Sequence, residues 1–247
     1  GGRDRILALT GAQISSTVKA FGLEGRSVTW TRAPNLIRNE LDLGFITQAA
    51  LFDGETAWKV DGNQRVSRLE GQDREELVGR AMVASHLYCF PEINGSIYRY
   101  RGPTKVGGRT LLCLEVSPPE GAPASLYFDS ATCRLVRSEI RSRELDSVTT
   151  YGDFREVDGV LFPFFSRMST GDPRFDVETR VESVTLDPPV DERFFTLAEA
   201  EEVGFDCRLA NGDAAEDIPL QLATDLILLE VAVNGVEGMH FLLDTGA

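Results

Sequence analysis

Apolar and polar residues alternate in short runs along most of the chain, and glycine, aspartate, asparagine or proline separates the runs. This pattern is typical of antiparallel strands joined by tight turns. The repeated strands at short spacing predict a mainly β fold, either a sandwich or a barrel. The predicted strands cover residues 13–20, 23–32, 35–43, 45–52, 56–60, 97–101, 109–117, 125–129, 134–141, 146–154, 155–163 with an Asp-Gly turn at its centre, 164–170 and 174–186.

One segment, residues 73–86, has helical spacing instead. Its apolar positions fall on one face, and Asp73 followed by Glu76 matches the pattern of an N-terminal cap. His86 ends the segment, where a charged imidazole would interact favourably with the helix dipole. Residues 1–9 indicate the end of a second, short helix.

The chain changes character after residue 186. A Pro-Pro pair ends the last long strand, and residues 190–195 predict a short terminal plug. Between residues 198 and 217 seven residues are acidic and one is basic, a composition that favours a solvated tether. We therefore expect a first domain over 1–196, an acidic linker over 197–217 and a second unit over 218–247.

The second unit begins with a predicted hairpin. Residues 226–233 are apolar and β-branched, Asn234-Gly235 is a strong two-residue turn signal, and residues 236–243 predict the return strand. The hairpin leads directly into Asp244-Thr245-Gly246-Ala247.

Residues 218–247 resemble the start of a retropepsin-like aspartic protease domain. The resemblance implies that Asp244 is the catalytic aspartate, that Thr245 braces the loop and that Gly246 allows close packing. Two carboxylates must share a proton in such a site, so the second aspartate would come from a homodimer partner, and a peptide or protein would be the substrate. We expect the chain to be part of a longer protein and to be inactive alone. The alternative is an Asp-Thr-Gly that merely forms a turn.

The first domain carries a second resemblance. Over residues 1–196 the chain is similar to the half-open barrel of bacterial lipoprotein carriers, the LolA/LolB-like fold, and more closely to the carrier-like domain found upstream of some bacterial aspartyl proteases. This resemblance implies a curved antiparallel half-barrel packed on helices, an apolar pocket for a lipid or acyl chain, and export to the periplasm or cell envelope. The motifs that carry it are Phe52-Asp53-Gly54 with Trp58, Tyr127-Phe128-Asp129 with Thr132 and residues 135–137, and residues 151–163.

Five aromatic residues are candidates to line the pocket. The alternative is that each is an ordinary core residue, since alternation cannot separate the two faces of a sheet without its register. We find no residue that matches a hand-over site for a lipoprotein partner. The candidates are Trp30, Trp58, Phe128, Phe162 and Phe164.

Composition and the absence of certain motifs argue against several other functions. A net charge of −14 disfavours nucleic acids as partners. Two histidines and the absence of Cys-x-x-Cys spacing argue against a zinc site, and no nucleotide-binding or Ser-His-Asp motif occurs, so we expect no metal or cofactor. The cysteines are Cys89, Cys113, Cys133 and Cys207; a Cys113–Cys133 disulfide and buried free thiols are both consistent with the sequence.

Together these observations predict an aspartic endopeptidase with an upstream carrier-like domain. A non-enzymatic module that binds lipid or lipoprotein in the periplasm, with a vestigial protease segment, is the alternative. A domain that only positions the peptidase or mediates dimerisation is the third hypothesis.

Overall fold

The computed structural model of the protein describes residues 3–44, 46–62, 64–89, 95–141, 146–197, 218–223 and 226–243. Strands dominate these ranges, and α-helix is confined to two segments, α1 (Arg3–Leu7) and α2 (Gly71–Ala84). Three 3₁₀ helices span Leu87–Cys89, Pro173–Phe175 and Glu192–Phe195. The strands are β1 (Gly11–Ala20), β2 (Leu23–Arg32), β3 (Leu36–Asp42), β4 (Thr47–Phe52), β5 (Ala57–Val60), β6 (Val66–Leu69), β7 (Ile97–Val106), β8 (Arg109–Ser117), β9 (Ala124–Asp129), β10 (Leu135–Ile140), β11 (Ser147–Val157), β12 (Val160–Ser169), β13 (Val177–Leu186), β14 (Leu220–Ala223), β15 (Leu226–Val233) and β16 (Val236–Leu242).

Strands β1 to β13 form one antiparallel sheet in the order β6-β5-β4-β3-β2-β1-β13-β12-β11-β10-β9-β8-β7. Most neighbours are consecutive in the chain because short turns join them as hairpins. The exception is β13, which returns to pair with β1 and joins the two halves of the sheet. Within the described residues β6 and β7 are the two edge strands, so the sheet is an open, incomplete barrel.

Helix α2 shows that this sheet is strongly curved. Val78 and Ala81 pack with residues of β3, β4 and β5, whereas Met82, in the next turn of the helix, packs with residues of β8, β9 and β10. Eight strand-to-strand steps separate β4 from β9, which is about 38 Å in a flat sheet. A helix is only about 10 Å across, so the sheet must bend around it to bring both ends into contact.

The two faces of the sheet follow from its register. In antiparallel pairs, residues directly opposite each other project to the same side. We call the side that carries α1 and α2 the inner face and the other side the outer face. All four hydrophobic clusters lie on the inner face, and their buried members include Val18, Ile37, Phe52, Val116, Leu126 and Phe162.

A close contact between α2 and the β8–β9 loop fixes the helix on the inner face. The amide of Ala122 donates to the carbonyl of Glu75 over 2.9 Å. A Cβ on Gly121 would lie 2.9 Å from Cγ1 of Val78, so glycine permits this approach. The helix begins at Gly71 with Glu70 as its N-cap residue, and the cap has no side-chain hydrogen bond. The predicted cap at Asp73 is therefore wrong, because the helix starts two residues earlier.

The outer face is covered near β2 and β3 by a segment that we call the strap, residues 188–196. Phe194 packs edge-on against Trp30 with ring centroids 5.1 Å apart, and the guanidinium of Arg38 lies 4.4 Å from the centre of the Phe194 ring. Arg38 also donates to the Phe194 carbonyl over 3.0 Å. Phe195 has no exposed surface. The predicted terminal plug is confirmed as the 3₁₀ helix of this strap.

Strands β14, β15 and β16 form a separate three-stranded antiparallel sheet. Its β15–β16 hairpin is confirmed, with Asn234 and Gly235 both at positive φ (54° and 81°), as a primed two-residue turn requires. One face carries only apolar side chains, and several are exposed. These are Leu220, Leu222, Ile227, Leu229, Val231, Met239 and Phe241.

The other predicted strands are confirmed, with small shifts at their ends. Three differences concern edge strands: β6 and β14 were not predicted, and β7 continues to Val106 beyond a bulge near Arg101. Edge strands contact water on one side, so their sequence pattern is weak. Among the described residues, no helix is long and apolar enough to cross a membrane.

Candidate ligand site on the inner face

A cavity of about 120 Å³ lies on the inner face, where α1, the end of α2 and the central strands meet. Its floor comes from β1 and its neighbour β2, and from β12, which lies one strand further on beyond β13. Its lining is mostly apolar, with three hydroxyl groups and one imidazole. The lining residues are Ile6, Leu7, Leu9, Thr10, Gly11, Ala12, Thr31, Ala33, Pro34, Ala84, Ser85, His86 and Phe162.

Glycine at the start of β1 allows the floor to close. A Cβ on Gly11 would lie 2.2 Å from the carbonyl oxygen of Thr31, so a side chain there would force β1 and β2 apart. At the same end of the sheet Asp187 accepts hydrogen bonds from the amides of Thr10 and Gly11 and from the Thr10 hydroxyl. These bonds hold the pKa of the Asp187 carboxyl below its ordinary value, although burial acts in the opposite direction.

His86 forms one wall of the cavity. It lies two residues beyond α2 with φ of 57°, the left-handed conformation that commonly ends a helix. Its ring packs edge-on against Phe162 (centroids 5.8 Å apart) and tilted against Tyr88 (5.9 Å). Burial lowers the pKa of the imidazole, while a hydrogen bond with the Ala84 backbone opposes this effect. Burial therefore favours the neutral ring, and the expected cation–dipole role stays a prediction.

Aromatic side chains continue from the cavity wall along the inner face. Tyr88 contacts Phe128 with centroids 6.2 Å apart, and the hydroxyls of Tyr151 and Ser138 are 2.9 Å apart. Burial raises the pKa of both Tyr88 and Tyr151, so both phenols stay neutral well above neutral pH. We call His86, Tyr88, Phe128, Tyr151 and Phe162 the inner aromatic row.

The structure separates the five predicted pocket residues. Phe162 lines the cavity, and Phe128 and Phe164 lie on the same inner face. Trp30 and Trp58 lie on the outer face, linked through the pairs Trp30–Arg38, Arg38–Leu51 and Leu51–Trp58.

Sequence analysis missed several of the residues that surround the cavity. Ile6 of α1 and Leu9 just beyond it belong to a nine-residue segment that gave too short a pattern to place. Tyr88 follows the helix without any periodic signal. His86 was noticed as the end of the helix, but no local pattern indicated that its ring lines a cavity.

Other candidate chemistry finds no support among the described residues. No group of three His, Cys, Asp or Glu side chains there could hold a metal ion. Cys89, Cys113 and Cys133 form no disulfide, so of the two alternatives that the sequence left open the Cys113–Cys133 disulfide is absent. Cys113 is buried on β8, and burial raises the pKa of its thiol, whereas Cys133 is exposed in a turn. Asp244, Thr245, Gly246 and Cys207 lie outside the described residues.

Comparison with known proteins identifies the fold. No protein-family model matches the sequence, and no curated protein matches it. Solved structures do match: a LolA superfamily protein from Nitrosomonas europaea (TM-score 0.54, 14% identity, 77% of this chain and 91% of that chain). A DUF1329 family protein from Desulfovibrio piger matches with a TM-score of 0.51 and 10% identity, covering 78% of this chain and 92% of that chain. A putative outer membrane lipoprotein-sorting protein domain from Vibrio parahaemolyticus matches with a TM-score of 0.50 and 12% identity, covering 75% of this chain and 88% of that chain.

These likenesses overturn the aspartic peptidase prediction. They are to carrier-type folds, and none supports a retropepsin-like domain. The confirmed hairpin does not rescue the prediction, because Asn-Gly between apolar strands forms a hairpin in any β protein. The predicted protease substrate and protease-domain dimer lose their basis with it. The chain has a LolA-like fold, with a large curved antiparallel sheet around few helices.

Proposed function

We propose that this protein is a non-enzymatic binding module that holds the apolar part of a lipid or acylated molecule against the inner face. The observation that carries the proposal is the cavity between α1, the end of α2 and Phe162. Apolar concavities with a few polar groups are the usual sites for small hydrophobic ligands. The inner aromatic row, with Phe164 beside it, extends the apolar wall beyond the cavity.

The cavity in its present form is smaller than an occupied site. Ligand pockets usually have volumes of roughly 300–1,000 Å³, so about 120 Å³ corresponds to a closed state. Each methylene buried from water contributes about 0.8 kcal/mol, which can offset the opening of a weakly held element. Helix α1 has five residues, and it contacts the inner face through Ile6 together with Leu9 just beyond its end, so it is the element with the least to lose on displacement.

Under this proposal, residues 1–196 form the binding unit and the acidic segment 197–217 tethers the small sheet to it. The described part of the unit contains both helices and the whole large sheet. We further propose that the protein acts in the periplasm or cell envelope. The likeness to a lipoprotein-sorting domain from Vibrio parahaemolyticus supports this location at the level of fold.

The first test is to extract the purified protein with organic solvent and identify co-purified lipid by mass spectrometry. Binding is then measured by titration with the fluorescent apolar probe N-phenylnaphthylamine. The variant Ala84→Phe places a ring in the cavity wall and should abolish probe binding. Arg80→Phe adds the same ring at an exposed position of α2 and should leave probe binding unchanged.

Two results would overturn the proposal. One is that no lipid co-purifies with the protein and that the protein binds no probe. The other is equal probe affinity in Ala84→Phe and wild type, provided that both variants keep the wild-type circular dichroism spectrum.

A further inference from the structure

The end of α2 combines two features at one residue. His86 turns the chain at positive φ, and the same residue closes the cavity between Phe162 and Tyr88. A non-glycine residue in this conformation carries some strain, which the surrounding contacts must compensate. The contacts that hold it are the His86 amide to the Val83 carbonyl (3.2 Å) and the Cys89 amide to the His86 carbonyl (2.9 Å).

Nothing that lines the described cavity can neutralise a charged imidazole. The lining residues from α1, β1, the β2–β3 turn and β12 are all uncharged. From the Leu87–Cys89 turn the titratable neighbours are Tyr88, kept neutral by burial, and Cys89.

Charged groups on the neighbouring elements already have partners. On β11, Arg155 lies opposite Phe162 and forms an ion pair with Asp153. Asp187 is bound to Thr10 and Gly11 at the cavity rim, and Arg5 of α1 donates to the Asp158 carbonyl. A proton on His86 would therefore place an uncompensated charge against two aromatic rings.

We propose that His86 is an acid-sensitive latch: when it is protonated, the end of α2 leaves the inner face and the cavity opens. The imidazolium moves into water, and the His86–Phe162 contact is lost. The part of the proposal that concerns ligand exchange rests on the proposed function, whereas the conformational part does not.

The direction of the pH dependence follows from the two states. In the open state the imidazole is in water and has its ordinary pKa of about 6.5, whereas burial lowers that pKa in the closed state. The open state therefore binds more protons, and its population rises as the pH falls below about 6.5. Each unit of pKa between the two states changes the ratio of closed to open molecules by about tenfold.

Opening should appear as tighter probe binding in acid, because the apparent affinity scales with the fraction of binding-competent molecules. The experiment measures the dissociation constant of N-phenylnaphthylamine at about pH 7.5 and about pH 5, on either side of the ordinary histidine pKa. We expect at least about a threefold gain in affinity for the wild type in acid. His86→Gln, which stays neutral, should lose this gain. His240→Gln removes the other histidine of the chain and should keep it.

A second measurement does not depend on ligand. The two histidine ring signals in proton NMR, assigned with the His240→Gln variant, give the pKa of His86, and the amide signals of residues 81–89 report the end of α2. The latch requires these amides to shift with the midpoint of His86.

The outcomes separate the two proposals. Failure of wild-type probe binding at both pH values overturns the proposed function, and the amide signals still decide the latch. Amides of residues 81–89 that stay fixed while His86 titrates overturn the latch. An acid gain in probe affinity that survives in His86→Gln also overturns it.

Discussion

The two faces of the large sheet shield their aromatic rings from water in different ways. On the inner face, aromatic rings pack against helices and against one another, and a cavity remains at the end of α2. On the outer face, guanidinium groups lie over the rings: Arg38 over Phe194, Arg137 over Tyr127 and Arg180 over Phe165. The inner face has two exceptions, where Arg155 lies over Phe164 and Arg74 lies over Phe52.

This difference indicates which side of the sheet can exchange its contents. An arginine covers a ring with its apolar stem and keeps its charge in water. The rings of the outer face are therefore shielded from water without a layer of helices over them. The inner face depends on helices, and the end of a helix can move as a unit. A ligand can therefore replace helix contacts on the inner face, whereas on the outer face charged groups and the strap cover several of the aromatic rings.

The largest expected effect is on the strap. Phe195→Ala removes a ring with no exposed surface and should lower the free energy of unfolding by about 3–5 kcal/mol in urea denaturation. Phe175→Ala, at a ring that is 48% exposed, is the control and should cost less than about 1 kcal/mol. Equal losses in the two variants would show that the strap does not seal the outer face.

The next effect tests the floor of the cavity. Gly11→Ala places a Cβ 2.2 Å from the Thr31 carbonyl oxygen, and the overlap should cost about 1–3 kcal/mol. Gly152→Ala in β11 meets its nearest neighbour, Cδ1 of Phe165, at 3.7 Å, which is ordinary contact. It should change stability by no more than about 1 kcal/mol. Thermal or urea unfolding of both variants checks this, and a Gly11→Ala protein as stable as wild type contradicts the close pairing of β1 and β2.

A smaller effect compares one tyrosine on each face. Tyr151→Phe takes away the hydroxyl partner of Ser138, which is 2% exposed, and should cost about 1–2 kcal/mol. Tyr127→Phe takes a donor from Glu139, which keeps its ion pair with Arg137, and should cost only about 0.5 kcal/mol. The reverse order in urea denaturation would mean that the outer hydrogen bonds, and not the inner ones, contribute more to stability.

The smallest effect appears in alkali. Burial, and then the hydrogen bond to Glu139, raise the pKa of Tyr127 to about 12. The folded state therefore favours the neutral phenol, and that contribution is complete below the ordinary pKa of about 10 and lost as the pH rises towards 12. Ultraviolet titration of Tyr127→Phe should lack one phenolate transition near pH 12. An unchanged titration curve would contradict this assignment.

The sequence predicted most strands and several turns because those signals are local. Asp158-Gly159 and Asn234-Gly235 both turn the chain at positive φ, and alternation marks the strands on either side. The helix was predicted from its spacing, although its start was misplaced because Asp73 is a plausible cap in any helix. The peptidase prediction failed for the same reason: a short motif on a hairpin fixes local geometry and carries no information on the rest of a fold.

The alternation of apolar and polar residues could not show which side chains face inward, because each bulge shifts the alternation by one residue. The β1–β13 pairing shifts between Ser15 and Ser16, so Val181 and Val184, three residues apart, both face inward. The same shift in β10 brings Leu135 and Ser138 to one face. Phe162 lines the cavity, but Trp30 and Trp58 were grouped with it because nothing local distinguishes a tryptophan beneath a strap from one beside a cavity.

The sequence by itself determined that this protein is a meander of short antiparallel strands with one substantial helix, since period and turn chemistry act within a few residues. Only the tertiary structure decided that the sheet bends around α2, that His86 is a neutral wall of a cavity and that the strap seals the opposite face. Those properties depend on contacts between segments far apart in the chain, such as β1 with β13 and His86 with Phe162, and the free energy of such contacts exists only after folding.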